Sequence, residues 1–278
     1  MGKGAPERLR KNGIGRTLNA HFMLITLIGA GNVATHLGMA LKACGHEIRQ
    51  VYSRTDTSAR ILAELLEAEP VNTTESVADG ADLYLCALKD DALEAVLNAL
   101  RLVNPILVHT SGSLPLSVLS ICSSRYGVLY PLQTFSKARG VDLSTVPFFV
   151  EASDTKTLEQ LTGLASQMSH SVHPLSSDDR AELHLAGVFA CNFVNHLYGL
   201  AGDMLQRRNL PFDYLLPLID ETASKVHELK PAEAQTGPAV RYDRHIIDKH
   251  LGRLAIDSGQ AAVYRCLTDS IFNRIKHP

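Results

Sequence analysis

The sequence contains few cysteines, and their positions do not suggest pairs. There are five among 278 residues, an odd number, and they lie far apart. Most of them lie inside apolar stretches, where a free thiol behaves as a small hydrophobic side chain. This pattern indicates a reducing, cytoplasmic compartment. The five are Cys44, Cys86, Cys122, Cys191 and Cys266.

Long apolar runs are missing as well. No uninterrupted run approaches the roughly 18 residues of a membrane span. Residues 1–22 also lack the apolar segment of about 7 to 15 residues that a secretory signal needs. We therefore expect a soluble protein with no membrane partner. Because the first strand-like run begins at Met23, residues 1–22 are predicted to be a disordered extension or the product of an upstream start codon, with a transit peptide as the alternative.

The chain has little net charge. Its 27 Lys and Arg residues against 29 Asp and Glu residues give −2, with 45% hydrophobic and 20% charged residues. These ordinary values exclude a disordered chain, collagen and a coiled coil. Residues 1–22 carry a net charge of +4, which leaves −6 on the remainder. The body therefore has no basic surface large enough for a nucleic acid.

What the sequence does contain is a regular alternation of strand-like and helical segments. From Met23 to Thr55 an apolar run passes through glycines into a helical pattern and then into a second strand-like run, which is one β-α-β unit. The alternation predicts a doubly wound, mostly parallel α/β sheet, covered on both faces, over residues 23–175. Further strands are predicted at Asp82–Leu88, Pro105–His109, Gly127–Tyr130, Pro147–Glu151 and His170–His173, and helices near Thr57–Glu67, Asp90–Leu100, Pro115–Ile121 and Asp154–Met168, the last capped by Asp154.

After Ser176 the strand-like runs end, and helical periodicity continues nearly to the terminus. At roughly 100 to 200 residues per domain the length favours two domains, so residues 176–278 are predicted to form a second, all-α domain. Ser177 or Asp178 is predicted to cap one long helix that reaches about Arg207. Later helices are predicted from Pro211 to before Pro231, over Ile246–Leu254 and over Ser258–Ile275.

A glycine-rich turn joins the first strand to the first helix. The run LIGAGNVA at residues 27–34 fits the dinucleotide fingerprint with alanine as the third small residue. Gly29 would allow the tight turn, Gly31 would let the backbone approach a pyrophosphate, and Ala34 would let the helix pack close to the strand. The alternative is a strand-helix turn that binds no ligand. The predicted cofactor contacts are Gly29, Ala30, Gly31, Asn32, Val33 and Ala34.

The end of the second strand distinguishes between the two nicotinamide dinucleotides. An acidic residue there would accept a hydrogen bond from the ribose 2′-hydroxyl of NAD, but the chain has Ser53, Arg54 and Thr55. A guanidinium flanked by two hydroxyls favours the 2′-phosphate of NADP. The alternative is an exposed loop arginine, with the later Asp56 serving a ribose, so NAD is the less favoured cofactor.

Several motifs together resemble one protein family. GAGNVATHL with the YSRT strand end looks like the NADP-binding half of pyrroline-5-carboxylate reductase and of deazaflavin-dependent NADP oxidoreductases. Over residues 23–275 the chain is more similar to a related family of Rossmann-like NADP oxidoreductases with their own helical C-terminal domain. That resemblance rests on HTSGSLPLSVL (His109 to Leu119), YPLQTFS (Tyr130 to Ser136) and QTGPAVRYD (Gln235 to Asp243). It implies a C-terminal domain of the 6-phosphogluconate dehydrogenase type and a homodimer formed through the helical domains.

In a doubly wound sheet the ligand lies beyond the carboxyl ends of the strands, so the loops there form the predicted site. Leu88 and Lys89 follow one strand, and in the resembling reductases this loop runs along the cofactor ribose. Gln133 follows a later strand as a predicted substrate contact. The loop between them offers hydroxyls near the expected nicotinamide; its predicted contacts are His109, Thr110 and Ser111, the last also a candidate catalytic residue. The alternative for each loop is a polar turn that only caps the next helix.

The predicted long helix carries a polar stripe. At about 100° per residue, His184, Asn192 and Asn195 share one face. His184, with Asn192 as a second candidate catalytic residue, could donate a proton to a carbonyl or imine while a hydride arrives from NADPH. Asn195 would contact the substrate. In the resembling reductases this helix often carries a catalytic lysine, which is absent here; the alternative is a histidine of the core or the dimer interface.

A second polar cluster lies in the loop before the last two helices. Gln235, Thr236 and Arg241 are predicted to contact the substrate, and Arg241 could hold a carboxylate with two hydrogen bonds. The alternative is a capped helix start with Pro238 in its first turn, together with a surface ion pair between Arg241 and Asp243.

Twelve histidines invite a metal hypothesis, which their spacing does not support. His170 and His173 would point to opposite faces of a strand, and no two cysteines are close enough for a zinc site. We therefore expect no required metal.

Together these features predict an NADP-dependent oxidoreductase. It would move a hydride between the nicotinamide and a small carbonyl, imine or hydroxyl compound in a cleft between the domains. The alternative is a sensor or scaffold that binds a dinucleotide without turnover, because the lysine of the resembling reductases is missing. The identity of the substrate does not follow from the sequence.

Overall fold

The computed structural model describes residues 22–276. They form two compact units, the first ending at Ala190 and the second beginning at Cys191. The disordered extension predicted for residues 1–22 lies, except for Phe22, outside the described residues and stays a prediction. Within the described part, none of the helices is both long and apolar enough to cross a membrane.

The first unit contains a single eight-stranded sheet in the order β3-β2-β1-β4-β5-β6-β7-β8. All neighbouring strands are parallel except β6 and β7. The doubly wound, mostly parallel sheet predicted from the sequence is therefore confirmed. The strands are β1 Leu24–Ile28, β2 Glu47–Tyr52, β3 Glu69–Val71, β4 Leu83–Cys86, β5 Ile106–His109, β6 Arg125–Pro131, β7 Phe148–Ala152 and β8 Val172–Pro174.

Five α-helices accompany this sheet in the first unit. Asp154 caps α4 as predicted, since its carboxylate accepts a hydrogen bond from the Thr157 N–H at 2.9 Å. The segment predicted as a helix at Pro115–Ile121 is instead a 3₁₀ turn over Leu116–Ile121. The helices are α1 Asn32–Ala43, α2 Asp56–Leu66, α3 Asp90–Ala99, α4 Thr155–Met168 and α5 Ser177–Gly187.

The core of this unit has two layers because successive strand residues point to opposite faces. In β4, Leu83 and Leu85 belong to one buried cluster, whereas Tyr84 and Cys86 belong to the other. Helices α1, α2 and α4 complete the first cluster, and α3 completes the second. Burial on both faces explains why β1, β4 and β5 read as continuous apolar runs in the sequence.

The helix predicted to reach about Arg207 is present as a continuous helical run from Ser177 to Gln206, but it is not α-helical throughout. Ser176, rather than Ser177 or Asp178, caps α5, because its hydroxyl accepts from the Asp179 N–H at 3.2 Å. The segment Val188–Phe193 is then a π-helix. Because π-helices close i→i+5 hydrogen bonds, each residue turns by less than 100°, and the even rotation assumed for the polar stripe does not hold.

The end of the sheet and the end of the first compact unit are different points in the chain. The predicted boundary at residues 175 and 176 marks where strands stop, but α5 still belongs to the first unit. Contacts from Arg180 to Glu151 and from His184 to Tyr130 hold this helix against the sheet.

The second unit is entirely helical within the described residues, in agreement with the predicted all-α class. Few of its side chains are buried, whereas Leu210, Tyr214, Leu216, Leu218 and Val226 are large apolar residues exposed to solvent. Its helices are α6 Val194–Gln206, α7 Leu216–Lys225, α8 Pro231–Ala234, α9 Pro238–Arg241, α10 Arg244–Arg253 and α11 Ser258–Lys276.

Candidate active site

The glycine turn after β1 has a backbone that only glycine adopts easily. Gly29 has φ +123°, and its N–H donates to the Tyr52 carbonyl at 2.8 Å. A Cβ at this position would lie 2.3 Å from the carbonyl oxygen of Ala87. Gly29 therefore allows β1 and β4 to approach each other where the chain turns into α1.

Gly31 has the opposite surroundings. It is the N-cap of α1, but no side chain caps the helix and no acidic residue occupies its first turn. A Cβ at Gly31 would meet nothing within 4 Å. The first N–H groups of α1 are therefore uncapped and border open space, which is the arrangement that binds phosphate groups in other proteins, and the cofactor contacts predicted here stay predictions.

The small residues further along α1 serve packing. Ala34 is fully buried in the core. Gly38 lies so close to β1 and α2 that a Cβ there would be 2.8 Å from Leu27 and 2.7 Å from Leu66. Gly38 therefore allows α1 to pack closely against β1.

Arg54 lies in the loop after β2 and is exposed. Its side chain makes no hydrogen bond or ion pair with any other described residue. Ser53 accepts from the Thr55 N–H at 3.3 Å, which shapes the turn. Asp56, the alternative ribose ligand, is paired with Arg60 at 2.7 Å. Of these groups, the Arg54 guanidinium is the one left available to an anion.

The loops after β4 and β5 are joined by a side-chain contact. The Ser113 hydroxyl donates a hydrogen bond to the Asp90 carboxylate. Leu88 is half-buried beside Gly29, whereas Lys89 is exposed and its side chain has no polar partner among the described residues. Leu88 thus lies next to the glycine turn, and the cofactor contacts predicted for Leu88 and Lys89 stay predictions.

His109 ends β5 and is only 1% exposed. Its Nδ1 accepts from the Ser111 N–H at 3.1 Å, so Nε2 carries the proton of the neutral ring. That Nε2 is buried with no partner among the described residues. Burial lowers the pKa of His109 to about 4, with the nearby Arg180 charge acting in the same direction. His109 is therefore neutral at physiological pH.

Ser111 shapes the loop in which it was predicted to contact a ligand. Its hydroxyl accepts from the N–H groups of Ser113 and Leu114, each at 3.1 Å. The buried Thr110 N–H donates to the Cys86 carbonyl at 3.3 Å. These bonds are those of a polar turn, and the catalytic role predicted for Ser111 stays a prediction.

His184 lies on α5 within hydrogen-bond distance of a buried tyrosine. The Tyr130 hydroxyl and His184 Nδ1 are 3.0 Å apart. Gly112 makes this approach possible, because a Cβ there would lie 2.6 Å from the imidazole. Burial raises the pKa of Tyr130, and the Arg180 charge opposes this shift. The tyrosine is therefore a neutral hydrogen-bond partner of the histidine.

A buried ion pair fixes α5 on the ends of the strands. Arg180 is 1% exposed and lies 2.6 Å from the Glu151 carboxylate. It also donates to the Leu114 carbonyl, while the Ser177 hydroxyl donates to Glu151 at 2.8 Å. Neither Arg180 nor Glu151 could be identified from the sequence, because nothing local to either residue indicates its partner 29 positions away.

The remaining predicted site residues fall in two places. Gln133, in the loop after β6, is exposed and accepts from the Thr134 N–H at 2.7 Å. Asn192, Asn195, Gln235, Thr236 and Arg241 are exposed residues of the second unit. Asn195 lines an open cavity of about 780 Å³ in that unit. The site residues of the first unit therefore gather at the carboxyl ends of the strands, while the structure leaves the others as predictions.

The alternative interpretation of the Arg241 region was a helix start at Pro238 with an ion pair between Arg241 and Asp243. The helix start is confirmed, and the ion pair is wrong. Pro238 stands in the first turn of α9. Asp243 does not pair with Arg241; its carboxylate accepts from the Ile246 N–H at 3.3 Å and caps α10. The Arg241 side chain is left without a polar partner among the described residues.

Comparison with known proteins places the chain in a family. A putative NADP oxidoreductase from Bacteroides fragilis is 48% identical, with a TM-score of 0.86 over 91% of this chain and 98% of that one. The chain belongs to the same family as this protein. The family resemblance found in the sequence is thereby confirmed.

Two domain families divide the chain between them. The family described as NADP oxidoreductase coenzyme F420-dependent matches residues 24–111, and a domain of unknown function, DUF2520, matches residues 146–271. No curated protein sequence matches.

More distant structures share the fold. A protein from Thermotoga maritima is 21% identical, with a TM-score of 0.74 over 91% of this chain and 99% of that one. The 1-pyrroline-5-carboxylate reductase of Streptococcus pyogenes is 15% identical, with a TM-score of 0.59 over 90% and 98% of the two chains.

Proposed function

We propose that this member of an NADP oxidoreductase family transfers a hydride between NADP(H) and a small carbonyl, imine or hydroxyl compound. The observation that carries the proposal is the hydrogen-bonded pair of Tyr130 and His184, which lies at the same edge of the sheet as the glycine turn. When bound, the dinucleotide supplies or accepts the hydride. The protein must then supply or accept one proton.

His184 is suited to move that proton. In its doubly protonated form His184 donates its Nδ1–H to the Tyr130 oxygen and can give its Nε2 proton to a substrate oxygen or nitrogen, which leaves a neutral imidazole. In the reverse direction the same nitrogen accepts the proton of a hydroxyl or amine. Tyr130 thus fixes the histidine tautomer, and the imidazole performs the acid-base step.

The selection of NADP over NAD rests on Arg54. Its unpaired guanidinium, at the end of β2, is placed where an NADP-binding sheet holds the 2′-phosphate. The pairing of Asp56 with Arg60 removes the carboxylate that would favour an unmodified ribose. Ser53 and Thr55 would add hydroxyl contacts on either side.

We further propose that the second unit contributes to substrate binding. Arg241 would hold a substrate carboxylate, with Gln235 and Thr236 beside it and Asn192 and Asn195 as hydrogen-bonding groups. This set is supported by the exposure of all five side chains. If it is correct, Arg241→Gln should raise the KM of a carboxylate-bearing substrate and leave kcat within about twofold.

The helical unit is also the proposed site of homodimerisation. Its large exposed apolar side chains, such as Tyr214 at 71% and Leu218 at 62% exposure, are typical of a surface covered by a partner. Sedimentation equilibrium should then give twice the 30.3 kDa of one chain. A monomer at micromolar concentration would contradict this proposal.

A reducing, cytoplasmic location is proposed from the free state of all five cysteines.

The proposed function is tested by binding and turnover together. Titration calorimetry with NADPH, NADP, NADH and NAD should show micromolar or tighter binding of the phosphorylated pair. A panel of aldehydes, ketones, cyclic imines and alcohols, followed at the nicotinamide absorbance, should then reveal turnover. Failure of all four dinucleotides to bind would overturn the proposal. Tight NADPH binding with no turnover over a broad panel would favour a dinucleotide-binding sensor, which the absence of a lysine from α5 and α6 leaves open.

A further inference from the structure

The loop after β6 reaches back across the sheet to the start of α1. Phe135 accepts a hydrogen bond at its carbonyl from the Asn32 side chain at 2.9 Å, and its ring stacks on His36 with 4.8 Å between centroids. The next carbonyl, that of Ser136, accepts from His36 Nε2 at 3.0 Å. These contacts join residues about a hundred positions apart and fix the segment Phe135–Lys137 on the first two turns of α1.

These contacts place Lys137 next to the glycine turn. Its ammonium donates to the carbonyl of Ala30, between Gly29 and Gly31, at 2.8 Å. An ammonium has three N–H donors, so this single bond leaves two of them free. The lysine is exposed, and the space in front of Gly31 is open.

The charge of Lys137 is not balanced by a nearby carboxylate. None of the ion pairs among the described residues includes it, and the first turn of α1 has no acidic residue. The body of the chain is acidic overall, so an anionic ligand has to be held by local positive groups rather than by the general field. Arg54 provides such a group at β2, and Lys137 provides one at the glycine turn.

We propose that Lys137 binds the pyrophosphate of the dinucleotide, as a cation carried by a loop outside the β-α-β unit. This inference rests on the proposed function, since it assigns a ligand to the same site. The two free N–H donors would face the phosphate oxygens while the Ala30 carbonyl keeps the side chain in place. The contacts of Asn32 and His36 act as positioning groups, because they hold the loop and not the ligand.

The experiment compares two basic residues of one loop. Lys137→Gln keeps a donor for the Ala30 carbonyl but removes the charge, and Arg139→Gln removes a neighbouring exposed charge as the matched control. A charge-assisted hydrogen bond lost from a phosphate should weaken binding about 10- to 100-fold. We expect Lys137→Gln to raise the Kd of NADPH and of NADH by this same factor in calorimetry, because both contain the pyrophosphate. Arg139→Gln should change neither Kd by more than about twofold.

A second readout separates charge from loop structure. The Kd of the wild type should rise more steeply with salt concentration than that of Lys137→Gln, since one screened ionic contact is gone. Lys137→Arg should restore most of the affinity and the salt dependence. A melting temperature of the unliganded variant equal to that of the wild type would show that the loop is intact.

The possible failures are distinguishable. If the wild type binds no dinucleotide, the proposed function fails and this inference fails with it. If the wild type binds NADPH and both Lys137→Gln and Arg139→Gln bind it as tightly as the wild type, only the Lys137 inference is overturned. If Lys137→Gln weakens NADPH and not NADH, the lysine contacts the 2′-phosphate, and the pyrophosphate assignment is wrong.

Discussion

The hydroxyl of Tyr130 and Nδ1 of His184 lie 3.0 Å apart, with the two rings nearly edge to face at 75°. The tyrosine comes from β6 and the histidine from α5, 54 positions later. Burial raises the pKa of Tyr130, so its proton stays on oxygen at neutral pH. The hydrogen bond to Tyr130 fixes the orientation of the His184 ring. The other ring nitrogen, Nε2, is then able to exchange a proton with a substrate.

The first prediction concerns the role of this pair in turnover. His184→Ala should lower kcat about 10²- to 10⁴-fold, the range of general acid-base catalysis, while the Kd of NADPH stays within about twofold. Tyr130→Phe should cause a smaller loss and displace the pH profile of kcat, because the tautomer is no longer fixed. Steady-state kinetics would show both effects. His173→Ala, at an exposed histidine of β8, is the control, and an equal loss there would contradict the assignment.

The second prediction separates the two glycines of the turn. Gly31→Ala should fold with a normal melting temperature, because its Cβ meets no protein atom, and yet lose most of its affinity for dinucleotides. Gly29→Ala should lower the free energy of unfolding by about 2 kcal/mol or more, since its Cβ would clash with the Ala87 carbonyl at an unfavourable φ. Chemical denaturation and calorimetry of both variants provide the measurements. Normal NADPH binding by Gly31→Ala would show that the pyrophosphate does not lie against this residue.

The glycine turn could be predicted from sequence because its signal is local. The fingerprint, the apolar strand before it and the amphipathic helix after it lie within about 30 residues, the size of one β-α-β unit. The pairs Arg180 with Glu151 and Tyr130 with His184 could not be predicted, because each joins elements that meet only when the whole sheet has formed. Lys137 was missed for the same reason, since 107 residues separate it from Ala30.

The helical region was predicted less well than the sheet. Assigning residues to helix faces at 100° per residue assumes a regular α-helix. Nothing in the sequence of residues 188–193 predicted a π-helix. The helical periodicity after Ser176 therefore predicted that this region is helical, but it did not predict which side chains share a helix face. The three-residue strand β3, which contains Pro70, was too short to produce a pattern.

The third prediction concerns cofactor selection at β2. Arg54→Ala should raise the Kd of NADPH about tenfold or more and leave that of NADH nearly unchanged, because only NADPH carries the 2′-phosphate. Arg54→Asp should increase the discrimination further through repulsion. Arg253→Ala, which removes an exposed arginine of α10 far along the chain from β2, is the control. Equal loss of both dinucleotides in Arg54→Ala would refute the 2′-phosphate assignment.

The fourth prediction follows from the burial of His109. Burial, assisted by the Arg180 charge, lowers the pKa of His109 from 6.5 to about 4. Between these values the unfolded chain takes up a proton that the folded chain does not bind. The contribution of a neutral His109 to the free energy of unfolding is therefore fully present above about pH 6.5. As the pH falls towards 4, this free energy should decrease by up to about 3 kcal/mol.

Urea denaturation of the wild type and of His109→Gln over this range would isolate the effect, because the other titrating groups are common to both chains. The free energy of unfolding of the wild type should fall more steeply than that of the variant between pH 6.5 and 4. His170→Gln, at an exposed histidine, should retain the wild-type slope. Protonation would also break the Ser111 bond to Nδ1, so the loop that faces the proposed nicotinamide site should loosen in the same interval. Parallel curves for wild type and His109→Gln would show that this imidazole is not held neutral by the fold.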